Sequence, residues 1–260
     1  MASLDRFLLT IPLWAVFAAT LVLVIACVEG GYRWGGQRQK DQELEKEAPV
    51  GAMVGANMGL LALLLAFTFG MASDAFHARK VALVNEANAI RMKYLLSSVI
   101  GESHRSEIRT VLREYVDERL RWGDGKPAEP GRSAKNLLDR FWKAAAAVRA
   151  QSPGDVDVFL GYAGRIIGLE QERRMVRERS RIPAPVWVVL YVVAFLGLTA
   201  VGYHGSVAGT RRSPVVLVAA VAFSAVIIII ADLNRPGEGF INVSQQPMIE
   251  LREMMATSTP

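Results

Sequence analysis

The chain has 260 residues, a formal net charge of +5, one cysteine and three histidines. The lone Cys27 excludes an internal disulfide and a CxxC metal site, and His77, His104 and His204 stand too far apart to form a ligand set at helical spacing. No phosphate-loop, dinucleotide, zinc-protease or nucleophile-elbow motif occurs, and the basic residues flank apolar runs rather than interleave with aromatics, so no enzyme, metal site, cofactor or nucleic-acid partner is expected.

The first apolar run, Phe7–Val28, contains no Asp, Glu, Lys or Arg. About 20 apolar residues carry a helix across about 30 Å of hydrocarbon, so the run is expected to span a bilayer. Its end, Val24-Ile25-Ala26-Cys27, loosely resembles a lipoprotein signal. The run exceeds the usual signal core, however, and Asp5 accompanies Arg6 ahead of it. A retained span is the expectation.

The second run, Val50–Ser73, is equally free of charge and carries the most distinctive pattern. Gly51, Gly55 and Gly59 lie four apart, a double GxxxG that lets helix backbones approach closely. Tight packing, within the chain or between copies, is one reading. The wall of a pore, with room left on the lumen side, is the other. Asn57 sets an amide inside the span, costly in lipid unless it meets a partner or water. Phe67 and Phe69 cannot share a helix face, so at most one would narrow a lumen and gate it by dewetting.

Residues 74–181 hold most of the charge and read as a helical bundle. Leu83, Ala87, Ile90 and Tyr94, then Ile108, Leu112, Tyr115, Val116 and Leu120, keep the 3–4 spacing of amphipathic helices. Gly101 and Ser103 mark a break between them, with Ser103 as an N-cap. Gly123–Gly131 is a loop by composition. Ser133 caps a third helix with Leu137, Leu138, Phe141, Trp142 and Ala145 inward. Ser152-Pro153 opens a fourth with Val156, Phe159, Leu160, Ala163, Ile166 and Ile167 inward, and Glu170–Arg181 is a solvated, mixed-charge surface.

Two further charge-free runs, Ile182–Tyr203 and Ser213–Ala231, read as ordinary lipid-facing spans. Residues 232–260 follow. Their opening, Asp232 to Pro247, is too polar for membrane and too rich in Gly and Pro for a helix. Asp232 and Arg235 suggest a local ion pair or a lipid contact. A cation site from Asp232, Asn234 and Glu238 is the lesser reading, because so few carboxylates make a poor calcium cage.

Four spans place both termini and the bundle on one face. Arg6, Arg79, Lys80, Arg173, Arg174, Arg177, Arg179, Arg181 and Arg235 lie there, against Arg33, Arg38, Lys40, Lys46, Arg211 and Arg212 opposite. Basic residues favour the cytoplasmic side, so the termini and bundle are assigned to it.

Three blocks carry a family resemblance: Leu60 to Phe69; Ala78-Arg79-Lys80 with Val84 to Ile90; and Asp232 through Arg235-Pro236 and Gly239-Phe240-Ile241 to Pro247. In that order they resemble the bacterial bestrophin-like membrane proteins, over roughly Gly51 to Leu251. The likeness to true bestrophins, which are pentameric anion channels, is more remote. It implies a pore lined by the second span, Phe67 or Phe69 at its neck and Glu86 near a cytoplasmic exit. The dense acidic calcium cluster of bestrophins is absent here; only Asp232 and Glu238 stand in that region.

The expected fold is all-α: four transmembrane helices with a cytoplasmic helical bundle inserted between the second and third. Residues 1–73 hold two spans and a short outer loop, 74–181 the bundle, 182–231 two spans, and 232–260 a cytoplasmic tail. The expected function is a homo-oligomeric ion channel of a bacterial inner membrane, its partners being the lipid bilayer, further copies and small ions. The basic flanks lean to anions. The alternative is a non-conducting sensor or scaffold whose bundle binds a partner.

Overall fold

The computed structural model describes residues 11–40, 47–123, 132–151, 182–210, 214–235 and 239–257, together with the pairs 168–169, 171–172 and 175–176. Helix is the only extended regular structure among the described residues. The helices are α1 (Leu13–Lys40), α2 (Glu47–Leu96), α3 (Glu102–Gly123), α4 (Arg132–Gln151), α5 (Ala184–Val207), α6 (Val215–Leu233) and α7 (Gln246–Thr257). The chain divides into two compact units, one of residues 1–75 and 181–241, the other of residues 76–180 and 242–260.

Four of these helices, α1, α2, α5 and α6, are long and apolar enough to cross a membrane. Sequence dictates where they start. Pro183 precedes α5 and Pro185 sits in its first turn, while Pro214 precedes α6; proline has no N–H to lose there and its φ is preset. In the first unit α1 packs closely along α5. The approach is set by glycine on both sides: a Cβ on Gly31 would strike the Thr199 carbonyl, and one on Gly202 would strike that of Val28. The third span is therefore not an ordinary lipid-facing helix. It is half of the tightest pair, joined by Trp34 against Tyr203 at 5.3 Å. A second cluster, Leu61, Leu190, Ala194 and Ile227, ties α2 to α5 and α6 through side chains.

Helix α2 is 50 residues long, about 75 Å at 1.5 Å per residue. Its apolar run is enough to cross the hydrocarbon; the remainder, from Phe76 onward, forms part of the second unit. That unit's core joins Leu83, Ile90 and Tyr94 of α2 to Ile108, Leu112 and Tyr115 of α3, Phe141 of α4, and Met248, Leu251 and Met255 of α7. A 3-10 turn at Ser97–Val99 and an extended Ile100 break α2 from α3. The break falls where expected, but α3 begins at Glu102 and α4 at Arg132, so Ser103 and Ser133 lie inside first turns rather than capping them. On α4 the buried stripe runs Leu137, Leu138, Phe141, Ala144 and Val148, and Trp142 is exposed, one position off the face assigned to it. The loop at 124–131 and the helix expected from Ser152 to Ile167 lie outside the described residues.

Among the described residues of the second unit, three charged groups are buried: Glu86, Lys93 and Arg119. Arg119 grips Glu86 with two nitrogens, both at 3.1 Å, and the Tyr115 hydroxyl donates to the same carboxylate at 2.6 Å. Buried ions persist when paired and hydrogen-bonded in this way. Lys93, about 30 Å along α2 from the end of the apolar run, has its ammonium 5.9 Å from the Phe141 ring centre. Burial pushes its amine from the ordinary 10.5 down to about 7.

Glu86→Ala should cost about 3–5 kcal/mol, because Arg119 keeps its charge without the counter-ion, and Glu86→Leu with Arg119→Met should recover much of it; thermal unfolding of the purified variants reads both. For Lys93 the folded amine holds its proton less tightly than the unfolded one. Stability should therefore rise as pH climbs from about 7 toward 10.5, and Lys93→Met should flatten that slope in unfolding curves taken across the range.

Candidate functional site

The second span is where sequence placed a path, and α2 has a covered side and an open one. Leu61, Thr68, Ala72 and Ala75 are buried, while Met53, Leu60, Leu63, Phe67 and Met71 are exposed. Only 6% of the α2 apolar window is buried, against 17%, 28% and 33% for α1, α5 and α6. The chain's own residues leave this helix the barest of the four.

The six positions picked from this span do not share one face. A Cβ on Gly51 would stand 3.0 Å from the His204 ring, so this glycine packs within the chain. Gly55 and Gly59 would meet nothing within 4 Å; their missing side chains make room on the open side. Asn57 turns the other way, toward Gly197 of α5, and its amide has no hydrogen-bond partner among the described residues. Phe67 is 65% exposed and Phe69 44%, and at i and i+2 they look in different directions. Ala56, Gly59, Leu63, Phe67, Gly70 and Asp74 keep 3–4 spacing and form one stripe on the open side.

Glu86 lies elsewhere. Its carboxylate is fully buried and committed to Arg119 and Tyr115, so this chain does not offer it to a lumen. The fold spends it on the second unit's core. Polar Asn85 and Asn88 beside it are exposed, which hid the fact that the acid between them faces inward.

After α6, Asp232 holds the backbone of Phe240 and Ile241. Asp232 is buried, and its two oxygens accept the backbone N–H groups of Phe240 at 3.0 Å and Ile241 at 2.9 Å. Gly239 has φ +143°, and a Cβ there would collide with the Asp232 carboxylate. Arg235 donates to the Ile11 carbonyl at 2.6 Å, and the Asn234 side-chain oxygen accepts the Ile182 N–H at 2.8 Å. Arg235 and Asn234 thereby tie the starts of α1 and α5 to the end of α6. Glu238 lies outside the described residues. Among the described residues no group of three or more His, Cys, Asp or Glu side chains could hold a metal ion.

Sequence reasoning missed α7. Its Met248, Leu251 and Met255 are buried in the second unit, and their i, i+3, i+7 spacing was legible. The run of Gly and Pro just before it masked the signal. Arg113 donates to the Met255 carbonyl at 2.8 Å and to the Tyr94 hydroxyl at 2.6 Å, and Tyr94 also donates to Met255 at 3.1 Å. A cation near a helix C-terminus is favourable.

A family model described as a bestrophin-like domain matches residues 15–248. No curated protein and no solved structure matches the chain significantly.

Gly239→Ala should displace the Asp232 carboxylate and strand two backbone N–H groups, at about 1–3 kcal/mol each. Lower melting temperature and reduced recovery from detergent should follow, with Asp232→Ala giving a similar loss.

Proposed function

The chain belongs to the bestrophin-like family, and from that premise we propose a homo-oligomeric membrane protein that conducts ions along a path walled by α2. The observation that carries this reading is the bareness of α2. Among the described residues α1, α5 and α6 are more covered than α2, one side of which has no protein neighbour, and that side holds Gly55 and Gly59 with open space around them. Copies arranged about a central axis would meet along it.

Side-chain chemistry supports a lumen over lipid alone. The Asn57 amide lacks a partner among the described residues, and an unsatisfied amide in hydrocarbon costs several kcal/mol by transfer estimates, roughly 1–3 in folded proteins. This amide faces α5 rather than the open stripe, so the stripe's own side chains carry the reading. On the open stripe Phe67 is the bulkiest side chain and Gly59 and Gly70 the smallest. A ring of Phe67 would be the narrow point, closed to water when dry. The membrane is a bacterial inner membrane in this reading, with both termini and the second unit in the cytoplasm, as the basic flanks favour. Those flanks concentrate anions, but salt screens them over about 8–10 Å; groups on the wall act at closer range.

Flux from liposomes reconstituted with purified protein tests the reading. Phe67→Ala should raise flux and Gly59→Leu should lower it, by roughly tenfold for each 1.4 kcal/mol of barrier, with the oligomer intact on size exclusion. A strictly monomeric protein, in detergent and in bilayers, would sink the proposal. Intact oligomers with no flux in any variant would favour a scaffold, for which the exposed Trp142 of α4 is the obvious partner contact.

A further inference from the structure

The acidic groups of this chain that lie near the inner ends of the spans or on the second half of α2 have very different surroundings. Glu86 is buried against Arg119, and Asp232 is buried against two backbone amides. Asp74 is exposed, and it makes no hydrogen bond or ion pair among the described residues. It is the first ionisable residue after the charge-free run of α2, four positions past Gly70, where a side chain would meet nothing within 4 Å.

Its direction matters as much as its charge. Seven residues separate Phe67 from Asp74, two helical turns less about 20°, so both side chains leave α2 on the same side about 10 Å apart along the axis. His77 stands three positions on, and the nearest lysine and arginine of the helix, Arg79 and Lys80, fall five and six positions on and leave it on other sides. Arg79 is held over the Phe76 ring at 5.9 Å.

We propose that Asp74 selects the sign of the permeant ion, its carboxylates forming a ring on the lumen wall that draws in cations. The proposal rests on the reading of α2 as that wall and adds the class of ion to it. Each copy contributes one carboxylate, so the ring's charge grows with the number of copies, and low-dielectric walls focus the field of like charges on the axis. Acidic rings of this kind select cations in other channels. Selectivity would then run against the weak anion preference of the basic flanks, because a charge on the wall acts on the ion at closer range than charges set off it, and salt screens the more distant ones.

Reversal potentials under a KCl gradient test the assignment, using full-length protein in planar bilayers with Asp74→Asn, Asp74→Lys and Phe67→Ala. The unsubstituted protein should prefer potassium over chloride. Asp74→Asn should lower that permeability ratio by roughly fivefold or more, and Asp74→Lys should reverse the sign of the potential. Phe67→Ala should change current size and leave the potential nearly where it was. If Phe67→Ala alters the current while both Asp74 variants keep the original potential, Asp74 faces lipid headgroups and its role is overturned, with the path through α2 left standing. If no protein, Phe67→Ala included, carries current, the path itself is overturned and Asp74 falls with it.

Discussion

Hydrocarbon offers no hydrogen bonds, and this constraint governs the first unit. Backbone groups inside the spans must be satisfied by the helices themselves, which is why the regular structure there is helical and why side-chain hydroxyls fold back onto it. Thr68 donates to the Leu64 carbonyl and Thr199 to that of Phe195. Packing must come from shape rather than from exclusion of water, since lipid tails are as apolar as leucine. Gly31 and Gly202 answer that need by bringing α1 and α5 into backbone contact. Where the chain leaves the apolar layer the constraint lifts, and polar side chains take over the joining of helix ends, as Asp232, Asn234 and Arg235 do.

The second unit solves a different problem. In water apolar burial drives association, and the core assembled from α2, α3, α4 and α7 is accordingly rich in Leu, Ile, Tyr and Met. Its buried Glu86–Arg119 pair adds geometric definition, since two parallel hydrogen bonds between guanidinium and carboxylate tolerate little sliding.

Much of the fold was legible because charge is excluded from lipid. Four runs without Asp, Glu, Lys or Arg announce four helices, and the 3–4 spacing of Leu83 to Leu120 announces the helices that follow. What escaped were matters of azimuth and partnership. Nothing in one sequence says which of three evenly spaced glycines meets a neighbour, and here Gly51 meets His204 whereas Gly55 and Gly59 meet nothing. Glu86 sits among asparagines and reads as surface, yet its counter-ion lies 33 residues away on α3. Asp232 and Arg235 suggest each other by proximity, while the contacts that fix them are to backbone groups, which sequence does not display. The family resemblance is matched by the bestrophin-like domain over residues 15–248, while the contacts of each segment are read only in space.

If copies meet along the open side of α2 as proposed, the protein's state depends on how much of it the membrane holds. A soluble assembly responds to concentration in water, whereas one that closes through a membrane face responds to copies per lipid. Diluting the protein with lipid would favour single copies, whose Gly55, Gly59 and Phe67 then face acyl chains. Crowding it would favour the closed ring. The ratio of protein to lipid becomes a thermodynamic variable of the molecule, as pH or salt would be for another.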